Sequence, residues 1–163
     1  WTTGFLTEVE NALKKLALIY PFTFLTVGAK RDYKIEGVNH LSKSWLFEEE
    51  NKLLGEMDIG IMPLPDTEYT RSKGGYKLFQ YMSAGIPCVA SPVGINNQII
   101  KPGINGYLAS SEDDWFTNLE KLINNPSLRS ELGKNGRIDA LELYNRDVCF
   151  DKLIDTVLGH TGN

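Results

Sequence analysis

The feature that most constrains this sequence is alternation. Short apolar runs rich in β-branched and aromatic residues are separated by helical-period stretches, not by tight two-residue hairpin turns. Strand-type runs fall at 22–27, 38–41, 58–62, 88–90 and 106–109, and the tail of a further strand is expected at 1–4. Helical patterns fall between and after them, at 7–20, 47–56, 76–84, 96–100 and 111–123. Parallel strands need a helix-length crossover between them, so this order argues for a parallel sheet. The expected class is α/β: a Rossmann-like doubly wound parallel sheet of about five to six strands, with helices on both faces. In such folds ligands sit beyond the carboxyl ends of the strands. That directs attention to the loops at 28–32, 42–45 and 63–73.

Local signals set the expected helix ends. Thr7-Glu8-Val9-Glu10 has the capping-box form and opens a helix with Val9, Ala12, Leu13, Leu16 and Ile19 on one face, stopped by Pro21. Ser111 followed by Asp114 repeats the form. The glutamates at 48–50 suit a solvated helix start. Residues 65–72 read as a polar loop, and Gly133 and Gly136 as a loosening between helices ending at Leu132 and restarting at Ala140. A final amphipathic helix is expected over 147–158, with a fraying tail at 160–163.

The run with most chemistry in it is Arg-Ser-Lys-Gly-Gly-Tyr-Lys-Leu-Phe-Gln, 71–80. Glycines let backbone approach a ligand closely, and the unpaired amides of a helix's first turn attract anions. Lys73, Lys77 and Gln80 share a face if the helical turn extends back to Lys73. The pattern suits a phosphate-bearing ligand, with Gln80 one turn on to meet a hydroxyl.

Composition excludes more than it selects. With 163 residues and a net charge of −4, the chain has the size of one domain and lacks the general basic face of a nucleic-acid binder. No apolar run is long enough to span a membrane. Cys88 and Cys149 stand outside metal-type spacing and read as buried, reduced thiols, which fits a cytoplasmic protein. There is no Ser/His/Asp triad, zinc spacing, Walker loop or dinucleotide glycine fingerprint, and no metal or cofactor is expected. His40 reads as a satisfied structural histidine. The chain opens at Trp1, not Met, and is expected to be a piece of a longer protein.

The order of motifs is familiar. D-I-G-I-M-P-L-P, then K-G-G-Y-K-L-F-Q-Y-M-S-A-G-I-P-C-V-A-S-P-V-G, then I-I-K-P-G-I-N-G-Y-L-A resembles the C-terminal domain of GT-B fold glycosyltransferases. It is most similar to glycosyltransferase family 4, the retaining group 1 enzymes. The resemblance is motif-specific over 58–109 and weaker outside. It implies a single nucleotide-sugar-binding domain over 1–163, with the acceptor domain absent and a UDP- or GDP-sugar as donor. It further implies hexosyl transfer in polysaccharide biosynthesis, membrane association only through the absent domain, and a fragment inactive on its own.

The family places two glutamates eight apart, one on the donor sugar and one on the ribose. Here those positions hold Ser72 and Gln80. A subset of the family has lysine in this turn with K-L-x-Q-Y-M, and this chain looks like that subset. Family members also carry basic residues near the first loop, but no Lys or Arg precedes Lys14 here. Lys73 and Lys77, with Arg71, would therefore supply the charge that stabilises the leaving diphosphate. The implied donor contacts are Ser72, Gly74, Gly75, Tyr76, Leu78 and Gln80, with Ser44 and Trp45 at the base. Packing is the ordinary alternative for Tyr76, Phe79, Tyr81, Met82 and Trp45. Two other readings stay open at this level: half of a nucleotide-sugar 2-epimerase, and a non-catalytic α/β binding module.

Overall fold

A computed structural model describes residues 3–29 and 33–159. The expected strand tail at 1–4 is a 3-10 turn at Thr3–Leu6, and Trp1 and Thr2 lie outside the described residues. Helix α1 (Thr7–Ala17) follows directly. The capping box expected at Thr7 does not form, because Leu6 takes the N-cap position and Thr7 Oγ1 donates to the Gly4 carbonyl at 2.9 Å. Val9, Ala12, Leu13 and Leu16 are buried as the spacing requires, but Ile19 lies past the helix and is 58% exposed.

Strands β1 (Phe24–Val27) and β2 (His40–Lys43) pair in parallel, with Phe24 opposite His40. His40 accepts or donates at Thr26 Oγ1, 2.8 Å away, and packs against the rings of Phe24 and Tyr33, so its role is structural. After a 3-10 turn and the short α2 (Glu50–Leu54) comes β3 (Gly60–Met62). The loop expected at 65–72 contains α3 (Glu68–Arg71). Its cap is Thr67 with Thr70, each side chain bonding the other's backbone, so a hydroxyl does the work usually done by Glu or Gln. Helix α4 (Tyr76–Ser83), β4 (Cys88–Ala90), α5 (Asn96–Ile99), β5 (Gly106–Leu108) and α6 (Glu112–Asn124) fall where the sequence places them. The Ser111–Asp114 capping box is complete.

Helix α7 (Pro126–Leu143) runs unbroken through both glycines. At Gly133 a Cβ would stand 2.0 Å from the Gly85 carbonyl oxygen, so the glycine is a contact point between α7 and the end of α4, not a break. Helix α8 (Arg146–Leu158) closes the described chain with no buried residue. Cys149 on it is exposed, against the expectation of two buried thiols, whereas Cys88 is buried and its thiol is pushed up to about 12 by that burial.

All five described strands are parallel, in two sheets: β1-β2 and β3-β4-β5. Period-two alternation along β4 sends Val89 to one core and Cys88 and Ala90 to the other. The first core joins α1 and α6 through Leu13, Leu16, Trp115, Leu119 and Leu122; the second packs α4, α5 and α7 through Leu78, Met82, Ile99 and Ala140. The doubly wound α/β class is therefore the observed one.

Candidate functional site

The loops at the carboxyl ends of β1, β2, β3 and β4 gather on one side. After β3, Pro63 and Leu64 lead to α3, whose last residue is followed by Ser72-Lys73-Gly74-Gly75 and then α4. Gly75 caps α4 with φ +69°, and a Cβ there would stand 2.6 Å from Ile99 Cδ1, so this position needs glycine for both conformation and space. A Cβ on Gly74 would meet nothing within 4 Å. Behind the turn, Gly94 (φ +56°) lies under the end of α3, where a Cβ would meet the Arg71 carbonyl oxygen at 2.4 Å. The Ser-Pro-Val-Gly motif thus fixes the floor beneath the glycine turn.

No side chain caps α4. Its first intrahelical bonds run from the Leu78 and Phe79 amides to the Gly75 carbonyl, which leaves the Tyr76 and Lys77 amides open at the helix start among the described residues. This end of α4 forms part of the mouth of a cavity of about 990 Å³, bordered there by Lys73, Gly74, Gly75, Tyr76, Lys77 and, opposite, Gly28. Lys73 is not on the helix, so it does not share a helical face with Lys77. Its ammonium is held instead over the Tyr69 ring (4.8 Å) and the Phe5 ring (5.6 Å). Lys77 keeps solvent access at the cleft wall, yet crowding there draws its pKa below the ordinary lysine value, with Lys73 adding in the same direction and Glu50 opposing.

The remaining residues separate into three groups. Leu78 is wholly buried in the core and its amide is bonded to Gly75, so it is a packing residue and not a donor contact. Arg71 is held by Asp66 through Nε (2.6 Å) and the terminal nitrogen (2.9 Å), so its charge is already paired. The Arg71 guanidinium in turn lowers the Asp66 pKa. Ser72 is exposed and donates to the Tyr69 carbonyl at 2.8 Å. Tyr76 is 69% exposed at the cavity rim.

Gln80 and Trp45 meet at a residue the sequence reading set aside. Glu50 Oε1 accepts from Gln80 Nε2 at 2.8 Å and from Trp45 Nε1 at 3.2 Å. Glu50 and Gln80 border a second cavity of about 580 Å³ that also touches Tyr76. Trp45, 53% exposed, has its Cβ against Gly28, where an added Cβ would meet it at 3.2 Å. The loops after β1 and β2 are therefore in contact, and Ser44 sits exposed beside them. Glu50 was legible only as the last member of an acidic run; its partner lies 30 residues away. Chemically, the site offers open amides and two ammonium groups beside a carboxylate, an amide side chain and an indole.

The family described as glycosyl transferases group 1 matches residues 3–125. No curated protein matches significantly. Solved structures similar to the chain include Staphylococcus aureus TarM with UDP, fondaparinux and alpha-GlcNAc-glycerol (19% identity, TM-score 0.68, 93% of this chain and 32% of that one). They also include sucrose-phosphate synthase of Thermosynechococcus elongatus (17%, TM-score 0.67, 94% and 43%). A third is Anabaena HepE with UDP-glucose (16%, TM-score 0.65, 93% and 45%). The chain thus spans less than half of each of these proteins, from 32% to 45% of their length.

Proposed function

Because the chain belongs to the group 1 glycosyltransferases, we propose that it is the C-terminal, donor-binding domain of a retaining hexosyltransferase acting on a nucleotide sugar in the cytoplasm. The observation that carries this reading is the start of α4, where the open amides of Tyr76 and Lys77 lie beside the Lys73 and Lys77 ammonium groups at a cavity mouth. Such a cluster suits a diphosphate, and the UDP and UDP-glucose in the similar structures support a uridine nucleotide.

As the glycosidic bond ionises, negative charge grows on the departing diphosphate. Fixed amides and ammonium groups stabilise that charge more than they stabilise the ground state, which lowers the barrier. Gln80 and Glu50 offer a donor and an acceptor for the ribose hydroxyls, and Trp45 a face for the base. Ser72 is short and turned to the Tyr69 carbonyl, so it is a poor partner for the donor sugar. The sugar and the glycan or lipid-linked acceptor would be held largely by the acceptor domain. The 163-residue chain alone is then expected to bind nucleotide weakly and not to turn over.

Calorimetric titration with UDP and GDP tests the reading. Lys73→Ala and Lys77→Ala are each expected to weaken UDP about tenfold, or ~1.4 kcal/mol. Unchanged affinity in both variants would sink the assignment.

A further inference from the structure

Tyr69 stands where packing has no need of it. It lies on α3, is 68% exposed and belongs to neither core. A large side chain left in water is ordinary by itself, but this ring carries a cation on its face. The Lys73 ammonium lies 4.8 Å from the centre of the Tyr69 ring and 5.6 Å from that of Phe5, both within range of a ring's negative face. The mount beneath the ring is rigid. Thr67 and Thr70 cap each other, buried Thr70 donates its hydroxyl to the Pro65 carbonyl, and the Arg71 carbonyl rests on Gly94. The link from the ring to the lysine is fixed too. Ser72 Oγ donates to the Tyr69 carbonyl at 2.8 Å, and the Lys73 amide donates to the Thr70 carbonyl at 3.2 Å.

The two basic residues that flank Ser72 are held in opposite ways. Arg71 is bonded to the Asp66 carboxylate through two nitrogens, so an anion has already claimed its charge. Among the described residues, no carboxylate lies within ion-pair distance of the Lys73 ammonium. A ring face attracts a cation through its quadrupole but carries no net charge. It therefore holds an ammonium in place without cancelling the charge that a diphosphate would meet. Holding is needed here, because Lys73 and Lys77 border one cavity mouth and two like charges there drive each other toward solvent. An untethered lysine also surrenders more rotamer freedom when it binds.

We propose that Tyr69 is a positioning residue: its ring, with Phe5 as the second, keeps the Lys73 ammonium at the cavity mouth with its charge available to a diphosphate. This role presupposes the donor-site reading of Lys73 and adds to it the group that aims that lysine. Tyr69 itself touches no nucleotide and acts only through Lys73. A ring-face contact does not use the tyrosine hydroxyl, so phenylalanine and tryptophan supply the same hold. Phe5 packs partly against the second core, so its removal would disturb more than the cation. Tyr69 is exposed, and its substitution leaves both cores untouched.

Two measurements on Tyr69→Leu, Tyr69→Phe and Tyr69→Trp test it. The first is NMR of the Lys73 side chain, whose methylene protons are shifted upfield by the current of a ring they lie over. That shift should persist in the phenylalanine and tryptophan variants and fall away in Tyr69→Leu. The second is titration with UDP by calorimetry and with uridine by NMR, in each variant with and without Lys73→Ala. A cation–ring contact at an exposed site corresponds to about two- to fivefold in affinity. Tyr69→Leu should weaken UDP by that factor, leave uridine unchanged, and have no effect once Lys73 is alanine. Tyr69→Phe and Tyr69→Trp should restore the affinity. The proposal is overturned by a Lys73 signal without the upfield shift in the unaltered chain. It is also overturned if Tyr69→Leu leaves UDP as tight as before while Lys73→Ala weakens it, and the donor assignment then stands. A loss that extends to uridine, or that persists on the Lys73→Ala background, overturns it as well, since the ring would then act directly or through the fold. Lys73→Ala with unchanged UDP affinity overturns it too, and the donor assignment falls with it only if Lys77→Ala is equally silent.

Discussion

Lys77 is the residue whose chemistry is most exposed to test. Lys77 keeps solvent access, yet partial desolvation at the cleft wall lowers its pKa from 10.5, with Glu50 opposing and Lys73 adding to the fall. On the proposed donor-site reading a diphosphate binds the protonated amine, so its affinity is full below the lowered pKa and falls as pH rises through it. A bound anion pulls that pKa back up, so binding takes up protons in the same window. UDP titrations across alkaline pH should therefore weaken earlier than an ordinary lysine would dictate. Lys77→Arg should move this limb out of range, because a guanidinium keeps its proton there. A limb that survives in the arginine variant assigns the titration to another group. Gln80 makes the complementary case for the sugar of the nucleotide. Gln80→Ala is expected to weaken UDP several-fold and to leave 2′,3′-dideoxyuridine diphosphate unchanged, since only the ribose hydroxyls should see the amide. Gln80 was singled out because it stands at a fixed offset within a motif. Glu50, which holds it, was not, because a hydrogen bond between residues 30 apart leaves no local signature.

At the scale of elements, two pairs of glycines separate conformation from space. Gly75 needs a left-handed backbone and has Ile99 pressed against its missing side chain, whereas Gly74 has open room. Gly75→Ala should cost about 1–2 kcal/mol of stability and Gly74→Ala under ~0.5, read as melting temperatures. Gly133→Ala is the sharper test. Alanine would favour the helix by ~1 kcal/mol on propensity alone, but its methyl would collide with the Gly85 carbonyl at 2.0 Å. Overpacking against backbone should win, with a net loss of about 1–3 kcal/mol. A stabilised Gly133→Ala variant would contradict this packing of α7 on the turn after α4. These glycines also mark how far local reading goes. Ser111 and Asp114 announce α6 because the two halves of the cap are three residues apart in sequence. α3 escaped because Thr70 stands where a glutamate was sought, and α7 was split because Gly133 answers to a contact 48 positions away, at Gly85.

For the whole molecule, alternation of strand and helix patterns was sufficient to reach a doubly wound parallel fold, since each strand direction follows from its crossover. What alternation does not carry is adjacency: nothing between residues 24 and 62 states that β1 and β3 stand apart while β3 and β4 pair. The two cysteines sample opposite ends of this architecture. Cys149 is exposed on α8, which buries no residue, and Cys88 sits in the middle strand of the three-stranded sheet, its thiol raised to about 12 by burial. A thiol-specific reagent should modify one thiol at once, because Cys149 is open to it. Cys88 must wait for the sheet to open, since the raised pKa and the absence of access both suppress attack. Its rate should therefore follow global unfolding and rise with denaturant in step with loss of helical circular dichroism. Cys149→Ser should remove the fast phase and leave the slow one unchanged. If Cys88 instead reacts well before the helices are lost, the three-stranded sheet opens as a separate unit, and the two cores do not unfold cooperatively.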